Sequence, residues 1–180
     1  MAGLTPLYHH MIIDNFLNPD DFLDIQKIML GEECPWYYME NIDTLDDVDK
    51  FQFTHAFYDQ ELGGWLSEYR LNLICQKLKI KEPRLYRIKA NLLTKTPEIV
   101  VNTFHTDIQE NTDSYTTSIL YMNTNNGYTE FEDKSRKNLC HTYVKSKANR
   151  LLSFPSGMKH RGTSCTDKKV RVVINFNYRT

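Results

Sequence analysis

Several things are scarce in this chain, and each shortage removes a class of protein. No apolar run approaches the ~18 residues of a membrane-spanning helix. The opening MAGLTPLYHH has no basic segment leading into an apolar core, so no secretory leader is expected and the chain reads as soluble and cytoplasmic. Cysteine is confined to Cys34, Cys75, Cys140 and Cys165, widely spaced and without a C-x-x-C pair. That spacing fits neither a structural zinc site nor a disulfide framework, and free thiols are expected. A surplus of positive charge is also missing: 22 Lys and Arg against 23 Asp and Glu give a formal net charge of -1, which argues against a dedicated nucleic-acid binder. Internal repeats, low-complexity tracts and linkers are absent, so one domain over residues 1–180 is expected.

What the chain does have is aromatic and β-forming. The hydrophobic fraction is 41%, with eleven Tyr and nine Phe, enough for a real core and favouring strands over a helical bundle. Met11 to Asp14 reads as a short strand. Asn18-Pro19-Asp20-Asp21 then reads as a helix start, with a capping side chain, a proline at the first turn and two acids on the positive helix end. Phe22, Leu23, Ile25, Ile28 and Met29 supply its apolar stripe, and Gly31 a stop. Residues 34–50 read as irregular. Their acidic loop at Asp43, Asp46, Asp47 and Asp49 lacks the Gly and terminal Glu of a calcium-binding EF-hand. The alternation Phe51-x-Phe53-x-His55-x-Phe57 predicts a strand, with His55 as a hydrogen-bonded core histidine. Leu62, Trp65, Leu66, Tyr69, Leu73, Ile74 and Leu78 predict a second amphipathic helix over 62–78.

From Arg84 onward the texture changes to short β-type runs, at 84–94, 99–106, 115–123, 128–132, 149–154 and 169–179, with turns at 123–127 and 154–157. Lys79, Lys81, Arg84, Arg87 and Lys89 read as a solvated helix end and strand face. Two helices followed by about half a dozen strands predict an α+β, mainly β fold: a double-stranded β-helix or jelly roll, core about 84–179, with the N-terminal helices packed on one sheet.

Within that frame, Phe104-His105-Thr106-Asp107 is the stretch that carries chemistry. On a strand, residues two apart share a face, which would project an imidazole and a carboxylate together. A third ligand from a distant strand, His160, would complete a facial set of two His and one carboxylate, the arrangement that suits non-haem Fe(II) with positions left open for oxygen chemistry. The strand that follows, Val170 to Tyr178, alternates between a core face (Val170, Val172, Ile174, Phe176, Tyr178) and a second face of Arg171, Val173, Asn175 and Asn177. Arg171 carries a planar fork that matches a carboxylate bidentately.

His105-x-Asp107, then His160, then Arg171 resembles the signature of the Fe(II)/2-oxoglutarate-dependent dioxygenases, in particular the prolyl-4-hydroxylase-like group. Ile119-Leu120-Tyr121-Met122-Asn123, Asn126-Gly127-Tyr128-Thr129-Glu130-Phe131, Arg150 to Phe154 and Arg87 to Asn91 resemble further elements of that family in the expected order. The likeness runs from about residue 84 to 178. The resemblance implies Fe(II) on His105, Asp107 and His160 as the catalytic centre. It implies 2-oxoglutarate with its 5-carboxylate on Arg171, Tyr121 donating it a hydrogen bond and Thr129 nearby, and O₂ as the oxidant. The implied reaction hydroxylates a C–H of an organic substrate as 2-oxoglutarate loses CO₂ to become succinate. Asn91 and Asn175 are candidates for orienting the substrate or buttressing the ligands. The substrate is an unidentified small molecule or peptide, with a peptidyl proline or other amino-acid residue among the options. Arg171 stands where prolyl hydroxylases proper can carry Lys, which loosens the link to proline. Substrate choice is expected to lie in loops such as 34–50 and 108–114. The other readings are a non-catalytic jelly-roll binding or structural module that keeps the metal site, and a cupin-type metalloenzyme. Cupins generally show H-x-H with a Glu and a later His, which His105-Thr106-Asp107 does not match.

Overall fold

The computed structural model describes residues 10–42, 49–66, 71–81, 84–108, 114–132 and 142–179. His9, Cys140, Asp43, Asp46, Asp47, the middle of the expected second helix and most of the 108–114 loop lie outside the described residues.

The elements run β1 (Met11–Ile13), α1 (Pro19–Leu30), β2 (Tyr37–Met39), β3 (Gln52–Asp59), β4 (Gly64–Trp65), α2 (Asn72–Lys77), β5 (Leu85–Thr94), β6 (Tyr115–Tyr121), β7 (Tyr128–Phe131), β8 (Thr142–Lys145), β9 (Arg150–Pro155), β10 (His160–Gly162) and β11 (Val170–Arg179). The strands form two antiparallel sheets. The larger is ordered β1-β9-β6-β11-β5-β3-β2, with β4 on β3, and the smaller β10-β7-β8. This mainly β, two-sheet arrangement is the expected jelly roll.

Alternation on β11 decides what each face of the large sheet does. Val172, Ile174, Phe176 and Tyr178 join Ile88, Leu120 and Met122 in one core, which Phe22, Ile25 and Met29 of α1 and Ile74 and Cys75 of α2 complete. The helices therefore cover that face. Val173 points the other way, into a second core with Ile119, Tyr121, Leu152 and Phe154 of the large sheet and Phe131 and Val144 of the small one. Whatever lies between the two sheets shares that second face.

α1 starts as expected: the Asn18 side chain accepts from Asp21 N at 3.0 Å, and the chain leaves the helix at Gly31. Leu23, placed on its apolar stripe, is exposed. His55 is buried with Nδ1 2.8 Å from the Pro35 carbonyl oxygen, a satisfied core histidine.

Three expectations are corrected. The helix over 62–78 is, among the described residues, only Asn72–Lys77; Trp65 sits instead in β4, its ring packed edge-on against Tyr58 at 5.3 Å, because Gly63 and Gly64 adopt positive φ and turn the chain back onto β3. Tyr37–Met39, read as irregular, is an edge strand on β3; all three residues are exposed, so no burial pattern marks it. The strand over 99–106 is not a regular strand; its described residues form only the isolated bridges Val101–Thr163 and His105–His160. No described helix is long and apolar enough to cross a membrane.

Candidate metal centre and adjoining cavity

The irregularity at 99–106 shapes the site. His105 is four positions on from Val101 while Thr163 is three on from His160, so the register slips by one between the two bridges. An extra residue of this kind bends a strand and re-aims the side chains beyond it. His105 and His160 then form a tight backbone pair, each N–H donating to the other's carbonyl oxygen at 2.9 Å. Their ring centroids lie 4.6 Å apart. Asp107 follows just past the bridge, and ligand atoms of His105, Asp107 and His160 all fall within 4.8 Å of one another.

Hydrogen bonds set the state of each donor. His160 Nδ1 lies 3.1 Å from the Met158 carbonyl oxygen and His105 Nδ1 3.3 Å from that of Thr103. A carbonyl oxygen only accepts, so Nδ1 of each ring carries a proton, and in the neutral tautomer the lone pair sits on Nε2. Burial pushes the His160 pKa down, against the pull of Asp107, and keeps the ring neutral. Burial by itself would raise the Asp107 pKa; the neighbouring His160, His105 and Arg87 and the Thr117 hydroxyl outweigh it and hold the carboxyl at about 2. Two neutral imidazole nitrogens and an ionised carboxylate are what a divalent metal requires.

Asp107 is itself held. Thr117 Oγ1 donates to Oδ2 at 2.8 Å and Asn177 Nδ2 to the same oxygen at 3.1 Å. Arg87 approaches Oδ1 at 3.8 Å. None of these three was assigned from sequence as a partner of Asp107. The signal was partly there, since Asn177 shares the polar face of β11 with Arg171. Pairing Thr117 with Asn177 needs the β6–β11 register, which alternation alone does not supply.

A cavity of about 450 Å³ adjoins the three ligands and is lined also by Arg87, Lys89, Asn91, Thr129, Arg171 and Asn175. Arg87 and Lys89, expected on a solvated face, therefore line the interior; the β5–β11 pairing sets them beside Asn177 and Asn175. Arg171 is 4% exposed, with Nε donating to Ser146 Oγ at 2.9 Å and Nη2 to Thr129 Oγ1 at 3.2 Å. No described carboxylate pairs with it. Desolvation without an anionic partner pushes its pKa down. Gly127 allows this placement: a Cβ there would sit 2.8 Å from Arg171 Cδ and 2.6 Å from the Ser164 carbonyl oxygen.

The other expected residues divide. Thr129 reaches the cavity; Tyr121 does not, being fully buried with its hydroxyl donated to Thr129 Oγ1 at 2.7 Å. Asn91 and Asn175 both line the cavity, and the Oδ1 atom of each is buried without a hydrogen-bond partner.

No protein-family model matches the sequence, and no curated protein matches it. Solved structures do match in shape. An oxidoreductase of the 2OG-Fe(II) oxygenase family from Burkholderia pseudomallei superposes with a TM-score of 0.69 at 10% identity, over 94% of this chain and 84% of that one. HygX from Streptomyces hygroscopicus, with nickel and 2-oxoglutarate bound, gives 0.63 at 11% identity over 98% and 87%. A prolyl hydroxylase from Trichoplax adhaerens, in complex with a hypoxia inducible factor peptide fragment, gives 0.62 at 14% over 94% and 83%. The fold is thus the jelly roll of the Fe(II)/2-oxoglutarate oxygenases.

Proposed function

We propose that the protein is an Fe(II)- and 2-oxoglutarate-dependent oxygenase that hydroxylates a C–H of an organic substrate. One observation carries the reading: a single cavity is lined both by a clustered His-Asp-His donor set and by a buried guanidinium that has no described anionic partner. Burying an unpaired cation is costly unless a ligand supplies the counter-charge. A dicarboxylate that also chelates a metal answers both requirements.

His105 and His160 would hold Fe(II) through Nε2 and Asp107 through its carboxylate. Arg171 would take the 5-carboxylate of 2-oxoglutarate, with Thr129 Oγ1 beside it. Tyr121 acts one step back, fixing the Thr129 hydroxyl from below. When bound, iron and 2-oxoglutarate supply the oxidising power: the oxo acid loses CO₂ to give succinate, with one atom of O₂ retained in succinate and the other delivered to the substrate. Thr117 and Asn177 keep the Asp107 carboxylate in one orientation throughout. Apolar side chains between the sheets, Ile119 and Val173, exclude water from the floor of the cavity.

The test is succinate formation that requires both Fe(II) and 2-oxoglutarate and is lost in His105→Ala. Equal succinate from wild type and His105→Ala would remove the reading.

A further inference from the structure

We propose that the cavity selects a compact acidic substrate bearing an N–H or O–H donor near its acid group, recognised by Arg87, Asn91 and Asn175. The inference names the substrate class of the oxygenase reading above and rests on it.

The cross-strand register carries the geometry. On the cavity face of the large sheet, Asn177 pairs with Arg87, Asn175 with Lys89, Val173 with Asn91 and Arg171 with Leu93. Directly paired residues stand side by side on one face. β5 therefore offers a polar strip of Arg87, Lys89 and Asn91 alongside the β11 strip that ends in Arg171. Arg171 lies two rungs from Asn175 and three from Asn177, which holds Asp107, so the β5 strip flanks the path between the guanidinium and the metal ligands.

Two features of that strip are unanswered within the described residues. Asn91 and Asn175 belong to the cavity wall, and the buried Oδ1 of each has no hydrogen-bond partner among the described residues. A carbonyl oxygen accepts and never donates, so what satisfies it must bring an N–H or O–H. Being diagonal neighbours across the β5–β11 pair, the two amides are close enough to serve one small molecule. Second, Arg87 uses Nε on Asn177 Oδ1 at 3.3 Å and brings Nη2 no closer than 3.8 Å to Asp107. A guanidinium has five N–H groups in a planar fork, so donor capacity remains for a carboxylate or phosphate. Its side chain is 25% exposed, reachable from the cavity rather than entombed.

The surrounding charge favours the same ligand. Lys89 and Lys159 also line the cavity, and Asp107 is the sole carboxylate among its described lining residues. A concave wall of one sign concentrates ligands of the other. Phe104, Ile42, Leu93, Ile119 and Val173 supply the apolar remainder, suited to a short carbon skeleton. Recognition groups confined to the wall of a cavity of this size favour a compact acid over an extended chain.

The test uses the full chain, loaded anaerobically with Fe(II) and 2-oxoglutarate and followed by its charge-transfer band and by calorimetry. The probes are L-malate, L-aspartate, L-glutamate and 3-phosphoglycerate, each against a neutral analogue in which amide or alcohol replaces the acid, and one uncharged peptide. The expected result is saturable binding of at least one acid at about millimolar or tighter, with its neutral analogue at least about tenfold weaker. That preference should collapse in Arg87→Gln, and binding should weaken by about tenfold or more in Asn91→Leu and Asn175→Leu. A purely structural role for Arg87 would weaken acid and neutral analogue alike and leave their ratio unchanged. Binding of no acid, equal binding of a neutral analogue or the peptide, or a preference that survives Arg87→Gln overturns the proposal. Should a variant fail to fold, the wild-type ratio still decides. Absence of the band in loaded wild type would instead overturn the oxygenase reading, so the two failures are separable.

Discussion

His105 and His160 lie fifty-five residues apart, yet each donates its backbone N–H to the other's carbonyl oxygen at 2.9 Å. The pairing uses no side-chain atom. Main-chain hydrogen bonds therefore hold the two imidazole-bearing residues side by side. Replacing His160 by Ala should leave the far-ultraviolet circular dichroism spectrum unchanged while removing metal binding. In a melting experiment a divalent metal should raise Tm of the wild type, as any ligand of the folded state must, and leave that of His160→Ala where it was.

The grip on Asp107 should be measurable apart from the ligands themselves. Thr117→Val and Asn177→Leu each remove one hydrogen bond to Asp107 Oδ2 and leave all three metal-ligating residues in place. Loss of a group that orients a metal ligand costs about 10–100-fold in metal affinity. Each variant should fall in that range by metal titration, and neither should abolish binding as Asp107→Ala does.

Arg171 and Tyr121 should separate by size of effect. Arg171→Met takes away the cation itself, and breaking a buried charged pair costs about 2–5 kcal/mol, or roughly 30-fold and upward in the Kd of 2-oxoglutarate. Tyr121→Phe removes only the hydrogen bond that fixes Thr129, worth about 0.5–1.5 kcal/mol. Its Kd should rise a few-fold. A Tyr121→Phe defect as large as that of Arg171→Met would show the tyrosine acting directly.

Much of this was legible in the sequence, and what was not has a common cause. The start of α1 could be read because Asn18, Pro19, Asp20 and Asp21 act within one turn of each other. The two faces of β11 could be read because alternation is a property of the strand alone. The slip that aims His105, the place of Arg87 in the cavity wall and the joining of Thr117, Asn177 and Asp107 all depend on register between strands far apart in the chain. β10 and β8 were missed for a related reason: each is defined by its pairing with β7.

A pH effect on stability should come from Asp14, away from the metal ligands in sequence. Hydrogen bonds from Arg150, then Lys147, hold the Asp14 carboxyl well below the usual carboxylate range. A depressed carboxylate stabilises the fold above its unfolded value, ordinarily 3.8, and that contribution is lost as pH falls below it. Asp14 is 37% exposed, so solvent screening limits the contribution to under about 1 kcal/mol. Wild type should melt about 2–4 °C at most above Asp14→Asn at pH 7. The gap should close as the solution is acidified through and below pH 3.8.

The buried thiols should be inert. Burial pushes Cys34 and Cys75 up to about 11, so the reactive thiolate is scarce at pH 8. Alkylation of both by iodoacetamide should be slow in the native protein and rapid once it is denatured, as peptide mass mapping would show.

One cavity would hold Fe(II) and 2-oxoglutarate together, the metal on His105, Asp107 and His160 and the dicarboxylate on Arg171. Anaerobic titration of 2-oxoglutarate into the Fe(II)-loaded protein tests it most directly. A charge-transfer band that saturates in wild type, and needs far more 2-oxoglutarate in Arg171→Met, is the predicted result. Fe(II) binding with no band on adding 2-oxoglutarate, or an identical titration in Arg171→Met, would contradict it.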